Sequence, residues 1–249
     1  LVTLANLDIN LAKADQLKRL NLVIPSVSKD KTAYKDLFNP QIKEMLAKEG
    51  KCYQCIDLEF GPGLPLLITG ANMGGKSVTL RNVGLCQYLF QCGFPVPAGS
   101  AAISPVSDIL ISAGDQQDIY RGLSSFAAEM EQLNSILKAA GSGRKLLILI
   151  DEPARSTNPS EGTALVRSLV TVLSSENLSV LVTTHYNIGE IECKKIRVRG
   201  FEDGKMNYSF VEAQEGVAPH EAINTARSLG IDNRWLDLAE SMLKRNNKA

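Results

Sequence analysis

The fold class is indicated most strongly by residues 66–77, which read Leu66-Leu-Ile-Thr-Gly-Ala-Asn-Met-Gly-Gly-Lys-Ser77. Residues 66–69 form an apolar run that is typical of a buried strand, and residues 70–77 fit the phosphate-loop pattern G-x-x-x-x-G-K-[ST]. Residues 78–81 then begin a helix. Because strand, glycine-rich loop and helix follow one another in the order that the motif requires, the sequence predicts a site for a nucleoside triphosphate.

The chemistry of this loop explains its residue types. Glycines have no Cβ, so they allow backbone N–H groups to turn toward phosphate oxygens, and the next helix contributes the positive end of its dipole. Lys76 can reach the β- and γ-phosphates, and the hydroxyl of Ser77 can bind Mg²⁺. The predicted nucleotide-binding residues are Gly70, Ala71, Asn72, Met73, Gly74, Gly75, Lys76, Ser77 and Val78.

A second apolar run, residues 146–150, predicts a central parallel strand that is covered on both faces. It ends in Asp151 and Glu152. We expect Asp151 to hold Mg²⁺ and Glu152 to orient or deprotonate the attacking water. A solvated turn is the alternative for such an acidic pair, but the apolar strand and the upstream phosphate loop favour the catalytic interpretation.

His185 follows a third apolar run, residues 180–184, and is one of two histidines in the chain. A lone histidine is more often structural than catalytic. Its predicted position at the carboxyl end of a core strand, in a nucleotide-binding sheet, favours a contact with the γ-phosphate. The sequence thus predicts Lys76, Glu152 and His185 as catalytic residues.

The remaining elements follow from hydrophobic periodicity and turn residues. Predicted helices cover residues 3–21, 41–48, 76–91, 124–140 and 161–173, with a terminal pair over 219–229 and 234–245. Predicted strands cover 53–60 and 109–111, with a hairpin of 194–201 and 206–212. Residues 25–51 are otherwise mixed and turn-rich, residues 94–98 form an edge strand or an extended link, and residues 114–122 form a loop. The apolar stripe of the first helix either packs on the domain or continues a longer helical region upstream.

Composition limits the partners. The chain has 249 residues, with Lys+Arg and Asp+Glu both 27, whereas a dedicated nucleic-acid-binding domain usually has a basic excess. Any DNA contacts are therefore expected mostly outside this stretch. The five cysteines lack the spacing of a disulfide framework, which favours a cytoplasmic protein, and Cys52 and Cys55 are expected to be buried or half-buried inert thiols. No apolar run reaches the length of a membrane span, so no membrane partner is expected.

Residues 64–243 resemble the C-terminal ATPase domain of the MutS family, a branch of the ABC-class ATPases. The motifs that carry the resemblance are T-G-A-N-M-G-G-K-S (69–77), V-P-A (96–98), S-S-F-A-A-E-M (124–130), D-E-P-A-R-S-T (151–157), T-H-Y (184–186) and A-R-S-L-G (226–230). The resemblance implies an α/β P-loop NTPase with a mostly parallel central sheet flanked by helices, followed by a C-terminal helical pair. It also implies ATP as the substrate, with Mg²⁺ as the cofactor.

In that family two ATPase domains face each other, so the resemblance implies a homodimer with two composite sites. Ser124 and Ser125 would complete the partner's nucleotide site, and residues 156–158 would lie between the subunits. Asn72 would lie near the phosphates, and Tyr53 would stack on adenine. The implied organisation is a helical lead-in over 1–50 from an upstream region, an ATPase core over 51–215 and a helical dimerisation segment over 216–249.

Departures from the mismatch-repair pattern leave the branch open. Mismatch-repair members typically have T-G-P-N-M-A-G-K-S and D-E-x-G-R-G-T, and this chain differs at Ala71, Gly74, Ala154 and Ser156. The first hypothesis is an ATP-driven clamp for mismatched duplex DNA, which upstream domains would contact. The alternative is a MutS-like chaperone ATPase that reactivates a lysine aminomutase without binding DNA. A non-catalytic nucleotide sensor is a third possibility, and Glu152 argues against it.

Overall fold

The computed structural model describes residues 2–70, 75–113, 125–175, 177–202, 205–213, 223, 226–227 and 230–246. The helices are α1 (Val2–Arg19), α2 (Pro40–Lys48), α3 (Lys76–Gln91), α4 (Ser125–Ala140), α5 (Pro159–Val172) and α6 (Asn233–Asn246). The strands are β1 (Ser26–Val27), β2 (Thr32–Leu37), β3 (Ile56–Phe60), β4 (Leu66–Thr69), β5 (Ser100–Ile103), β6 (Asp108–Ala113), β7 (Leu146–Asp151), β8 (Leu178–Thr183), β9 (Lys194–Glu202) and β10 (Lys205–Glu212).

The larger sheet has the strand order β10-β9-β4-β8-β7-β6 among the described residues. Strands β9, β4, β8, β7 and β6 are parallel, and only β10 pairs antiparallel. Parallel strands covered on both faces need apolar side chains at every position, which is why β7 and β8 lack a polar alternation. The predicted α/β class with a mostly parallel sheet is confirmed.

Alternate residues of the central strands enter two cores on opposite faces of this sheet. Leu147 and Leu149 join α3 and the smaller sheet on one face, whereas Leu146, Ile148 and Ile150 pack with α4 and α5 on the other. Helices on both faces therefore fix the position of β7. The carboxylates that follow it are held at one edge of a rigid sheet.

A smaller sheet of order β1-β5-β2-β3 covers the α3 side, and three of its four strands, β1, β2 and β5, were not predicted. Strands β1 and β2 lie in the region expected to be mixed and turn-rich. In β2, the exposed pair Lys35 and Asp36 interrupts the alternation, and Asp36 has a left-handed φ of 51° at an irregularity in the pairing with β3. A strand with such a bulge has no clear period-two pattern, so the sequence did not reveal it.

Helix α1 is present as predicted, but the N-terminal part of its apolar stripe is exposed, whereas Leu17 and Leu20 are half-buried. No residue of α1 is buried, and Leu4, Leu7 and Leu11 are more than half exposed. The alternative that the helix continues a longer helical region remains a prediction. Residues 94–98 form an extended link with a single bridge between Val23 and Val96.

The C-terminal helix pair is described in part. Helix α6 agrees with the prediction for 234–245, and of the predicted helix over 219–229 the structure describes Ile223, Ala226 and Arg227, which are helical. The predicted turn at residues 203–204 and the predicted loop over 114–122 lie outside the described residues. None of the helices in the described part of the chain is both long enough and apolar enough to cross a membrane.

Candidate active site

The candidate site lies at the carboxyl edge of the larger sheet, where β4, β7 and β8 end and α3 begins. Gly75 precedes α3 in the left-handed region, with a φ of 74°, which favours glycine over other residues. A Cβ at Gly75 would also lie 3.4 Å from the ring of Tyr208. Ala71, Asn72, Met73 and Gly74 lie outside the described residues.

Lys76 and Glu152 meet across this edge. The side chain of Lys76 is 3% exposed, and its Nζ donates a hydrogen bond to the carbonyl oxygen of Gly70 over 2.7 Å. The same Nζ lies 3.2 Å from Oε1 of Glu152, whose side chain is 13% exposed. A buried ammonium group needs such partners, because it has lost its hydration shell. Two residues predicted from separate motifs are therefore in direct contact.

Ser77 and Asp151 form a second contact beside the first. The Ser77 hydroxyl donates to Oδ1 of Asp151 over 3.0 Å, and the Thr183 hydroxyl donates to the same oxygen over 2.6 Å. Thr183 was not predicted as a site residue. The only signal was a hydroxyl at the end of an apolar strand, where a buried polar group needs a partner. Thr183 fixes Asp151 with its oxygen directed toward Ser77.

The turn after β7 has an unusual backbone. Glu152 and Ala154 both have left-handed φ values, 46° and 59°, on either side of Pro153. This conformation costs a residue with a Cβ about 1–2 kcal/mol. The family pattern D-E-x-G-R-G-T has glycine where this chain has Ala154, so here the surrounding structure must maintain the conformation.

Hydrogen bonds from three elements hold this turn. The N–H of Glu152 donates to the carbonyl oxygen of Thr183 over 3.1 Å and to its hydroxyl over 3.0 Å. The N–H of Ala154 donates to Oε1 of Glu129 over 3.0 Å, and the Ala154 carbonyl accepts from the Tyr186 hydroxyl over 2.8 Å. Because Ala154 is 1% exposed, these side chains replace water as its partners.

His185 lies next to the Glu152 carboxylate. Its Nδ1 is 3.9 Å from Oε2 of Glu152, and its side chain is 35% exposed. The ring of Tyr186 lies against it, with 4.2 Å between the ring centroids. The Glu152 carboxylate is thus placed between Lys76 on one side and His185 on the other.

A cavity of about 540 Å³ opens beside Lys76 and Ser77. Its lining includes an apolar and aromatic wall of Ile42, Leu46, Tyr53 and Tyr208. The Tyr53 hydroxyl accepts a hydrogen bond from the N–H of Asn39 over 3.1 Å, which fixes the ring at this wall, and burial raises the pKa of Tyr53. An apolar and aromatic cavity next to a lysine and a serine is suited to a ligand with a planar ring and a phosphate tail.

No sequence pattern indicated that two further residues, Tyr208 and Cys52, line this cavity. Tyr208 was assigned only to a hairpin strand, yet it lines the cavity, and its N–H donates to Oε1 of Gln54 over 2.9 Å. Cys52, expected to be buried or half-buried, is exposed and also lines the cavity, because β3 begins only at Ile56. All five cysteines are free thiols.

The residues expected to act on a partner's nucleotide are described only in part. Ser125 is the first residue of α4 and is exposed. Ser124 lies outside the described residues. Residues 156–158 lie between the turn and α5, where the Asn158 side chain caps the helix by accepting from the N–H of Ser160.

Comparison with known proteins identifies relatives of this chain. Residues 66–232 match MutS domain V. A protein named Endonuclease MutS2 from Streptococcus gordonii is 31% identical over 92% of this chain and 29% of its own length. Proteins of the same name are 29% identical in Enterococcus faecalis, over 96% of this chain and 30% of the relative, and 35% identical in Caldanaerobacter subterraneus, over 76% and 24%.

The chain thus spans less than a third of the length of these relatives. The match to domain V extends over residues 66–232 of 249 and includes the phosphate loop, the turn after β7 and His185. On this match and on the Streptococcus relative, the chain belongs to the MutS family.

Proposed function

We propose that this chain binds ATP with Mg²⁺, hydrolyses it to ADP and phosphate, and thereby drives a DNA-repair protein. The proposal rests on the contact between two motifs that lie far apart in the sequence. Lys76 lies 3.2 Å from Glu152, and Ser77 lies 3.0 Å from Asp151. At one edge of the sheet, these four side chains offer a cation to bind phosphate, two oxygens to bind a metal ion and a carboxylate to activate the attacking water.

Lys76 is the residue that binds the phosphates in this proposal. Its ammonium group is held by the Gly70 carbonyl and the Glu152 carboxylate, both of which a phosphate oxygen can replace. Lys76 and Ser77 are the first two residues of α3, and helix N-termini favour bound anions. Transfer of Lys76 to phosphate would release Glu152 from its ion pair.

Ser77 and Asp151 fit a magnesium site. Their hydroxyl and carboxylate oxygens are hard ligands, and a 3.0 Å separation between the two oxygens lets both bind one ion. Within the described residues no cluster of three or more His, Cys, Asp or Glu could hold a metal. Water and phosphate oxygens would therefore supply most of the coordination, as is usual for Mg²⁺ in nucleotide sites. When bound, Mg²⁺ neutralises charge on the phosphates and fixes their orientation.

Glu152 and His185 are proposed to act at the γ-phosphate. Glu152 would accept a hydrogen bond or the proton from the attacking water, once Lys76 binds phosphate. His185, whose Nδ1 is 3.9 Å from that carboxylate, would contact the γ-phosphate from the side away from Lys76. The fixed turn around Ala154 keeps the carboxylate at the edge of the sheet, so little reorganisation is needed during the reaction.

The apolar and aromatic wall of the cavity is the proposed position of adenine. Tyr53 is the aromatic residue expected from the family resemblance, and Tyr208 supplies a second aromatic ring at the same wall. Cys52 provides a chemical test, because it is an exposed thiol that lines this cavity. We expect bound ATP to slow alkylation of Cys52 several-fold. Cys92, which is exposed and is not part of the cavity wall, serves as the internal control. Equal alkylation of Cys52 with and without ATP would contradict this position.

A homodimer is the proposed assembly, with Ser124 and Ser125 completing the partner's site and residues 216–249 contributing contacts. Duplex DNA is the proposed partner of the full-length protein, since the relatives are named endonucleases and extend well beyond this chain. The sequence motifs alone also allow a protein-remodelling ATPase as the alternative. A clamp for mismatched DNA and such a chaperone predict different responses of the ATPase to DNA.

The test is the steady-state ATPase rate of the full-length protein, measured alone, with matched duplex and with mismatched duplex. Mg²⁺-dependent hydrolysis that responds to the mismatch would support the mismatch-repair hypothesis. Hydrolysis that responds equally to both duplexes would support another DNA transaction. Hydrolysis indifferent to DNA would favour a protein partner, and absence of hydrolysis would contradict the proposed function.

A further inference from the structure

Glu129 connects α4 to the turn that carries the proposed catalytic carboxylate. It lies in the first part of α4, and its side chain reaches the backbone of Ala154, whose N–H donates to Oε1 over 3.0 Å. The residue is half-buried, and burial raises its pKa, partly opposed by the Ala154 hydrogen bond and by Arg155. Glu129 does not line the cavity beside Lys76, so it is placed to act on the turn and not on a ligand.

We propose that Glu129 is a positioning residue, which holds Glu152 in its hydrolytic orientation through the backbone of Ala154. This inference rests on the ATP hydrolysis proposed above. It assigns to Glu129 a role in the rate of the chemical step and none in binding of ATP.

The conformation of Ala154 is the reason that a positioning residue is needed. A left-handed φ of 59° is unfavourable for alanine and readily adopted by glycine. Hydrogen bonds hold Ala154 on both sides of its Cα: its N–H donates to Glu129, and its carbonyl oxygen accepts from Tyr186. Loss of the Glu129 carboxylate would leave a buried N–H without a partner and allow the turn to relax.

The relaxation would reach Glu152 because only Pro153 separates the two left-handed residues. The ring of Pro153 fixes its own φ, which leaves fewer torsions between Glu152 and Ala154 to absorb a rotation at Ala154. The Glu152 carboxylate would then leave its place between Lys76 and His185. Small displacements of a catalytic group cost large factors in rate, about 100-fold for 1 Å.

The test compares ATP hydrolysis by the full-length protein and three single variants. Glu129→Ala should lower kcat about 10-fold to 100-fold and leave the KM for ATP nearly unchanged. Glu129→Gln should recover most of kcat, since its amide oxygen can accept the same hydrogen bond from Ala154. Glu131→Ala removes an exposed carboxylate from the same helix and should match the wild type.

The substitution Ala154→Gly distinguishes a role of Glu129 in positioning Glu152 from a general role in folding. In the Ala154→Gly background the left-handed conformation is no longer unfavourable, so Glu129→Ala should lower kcat much less there than in the wild-type background. Equal losses of kcat in both backgrounds, or a Glu129→Ala variant with wild-type kcat, would overturn the inference. No hydrolysis by the wild type would instead overturn the proposed function, and the inference with it.

Discussion

Gly162 of α5 has no room for a side chain, because the ring of Tyr186 lies directly over it. A Cβ at Gly162 would overlap the Tyr186 hydroxyl and lie 2.5 Å from its Cζ. The same hydroxyl holds the carbonyl of Ala154. We expect Gly162→Ala to lower the free energy of unfolding by about 1–3 kcal/mol and to slow ATP hydrolysis, measured by urea denaturation and by phosphate release.

Gly141→Ala is the matched control. A Cβ at Gly141 would meet nothing closer than a backbone oxygen at 3.6 Å, which is an ordinary contact. This variant should keep the wild-type rate and a stability within about 1 kcal/mol of the wild type. A Gly162→Ala variant as stable and as active as Gly141→Ala would show that Tyr186 is not confined by α5.

At the level of single residues, the sequence predicted the functional residues that belong to short local motifs. Lys76, Ser77, Asp151 and Glu152 each lie in a short pattern, and the structure brings them together. The residues that hold them could not be predicted in this way. Thr183 and Tyr186 act across neighbouring strands and helices, and such contacts depend on the strand order, which no local pattern contains.

At the scale of elements, α6 has an apolar face without a partner in the described part of the chain. Leu236 is 4% exposed, whereas Trp235, Leu238 and Met242 are all more than half exposed. Their spacing of three and four residues places them on one side of the helix. If this face contacts a second copy of the chain, Trp235→Ala should weaken the dimer by about 1 kcal/mol or more, measured by analytical ultracentrifugation.

Arg234→Ala is the control for this substitution, since Arg234 is exposed and pairs only with Asp232 among the contacts described for it. It should leave the dimerisation constant unchanged. Trp235 is also the only tryptophan of the chain, so its fluorescence should shift to the blue as the dimer forms. A Trp235→Ala dimer as strong as the wild-type dimer, together with no fluorescence shift when the wild type dimerises, would exclude this face from the interface.

The elements that the sequence predicted well are those with a strong, uninterrupted pattern. Strands β7 and β8 each contain a buried apolar run, and α3 begins at the glycine-rich loop. Strand β2 was missed because its polar bulge breaks the alternation. The apolar stripe of α1 predicted a helix correctly but gave no information on what covers it, since periodicity reveals a face and not its partner.

At the scale of the whole molecule, the proposed composite sites make hydrolysis a property of the dimer. Ser125 is exposed at the start of α4, where a second subunit has access to it. We expect Ser125→Arg to retain ATP binding and lose hydrolysis, because the large cation would disrupt the partner's site. A mixture of Ser125→Arg and Glu152→Gln chains should regain activity, since each mixed dimer contains one site with both residues intact.

With random exchange in equal amounts, half of the dimers are mixed and each has one intact site of two. The mixture should therefore reach about a quarter of the wild-type rate per chain, if the two sites act independently. Recovery should require conditions that let subunits exchange. A mixture no more active than its two components would contradict composite sites and favour hydrolysis within single chains.

Glu152 is proposed to activate water for attack on ATP held by Lys76, and Glu152→Gln removes that carboxylate while keeping the shape of the side chain. ATP binding and phosphate release are measured on the same preparation of wild-type and variant protein. We predict that the variant binds ATP at least as tightly, because Lys76 loses the ion pair at 3.2 Å that competes with phosphate, and that hydrolysis falls by about 100-fold to 10,000-fold. Hydrolysis by Glu152→Gln at the wild-type rate would show that Glu152 does not activate the attacking water.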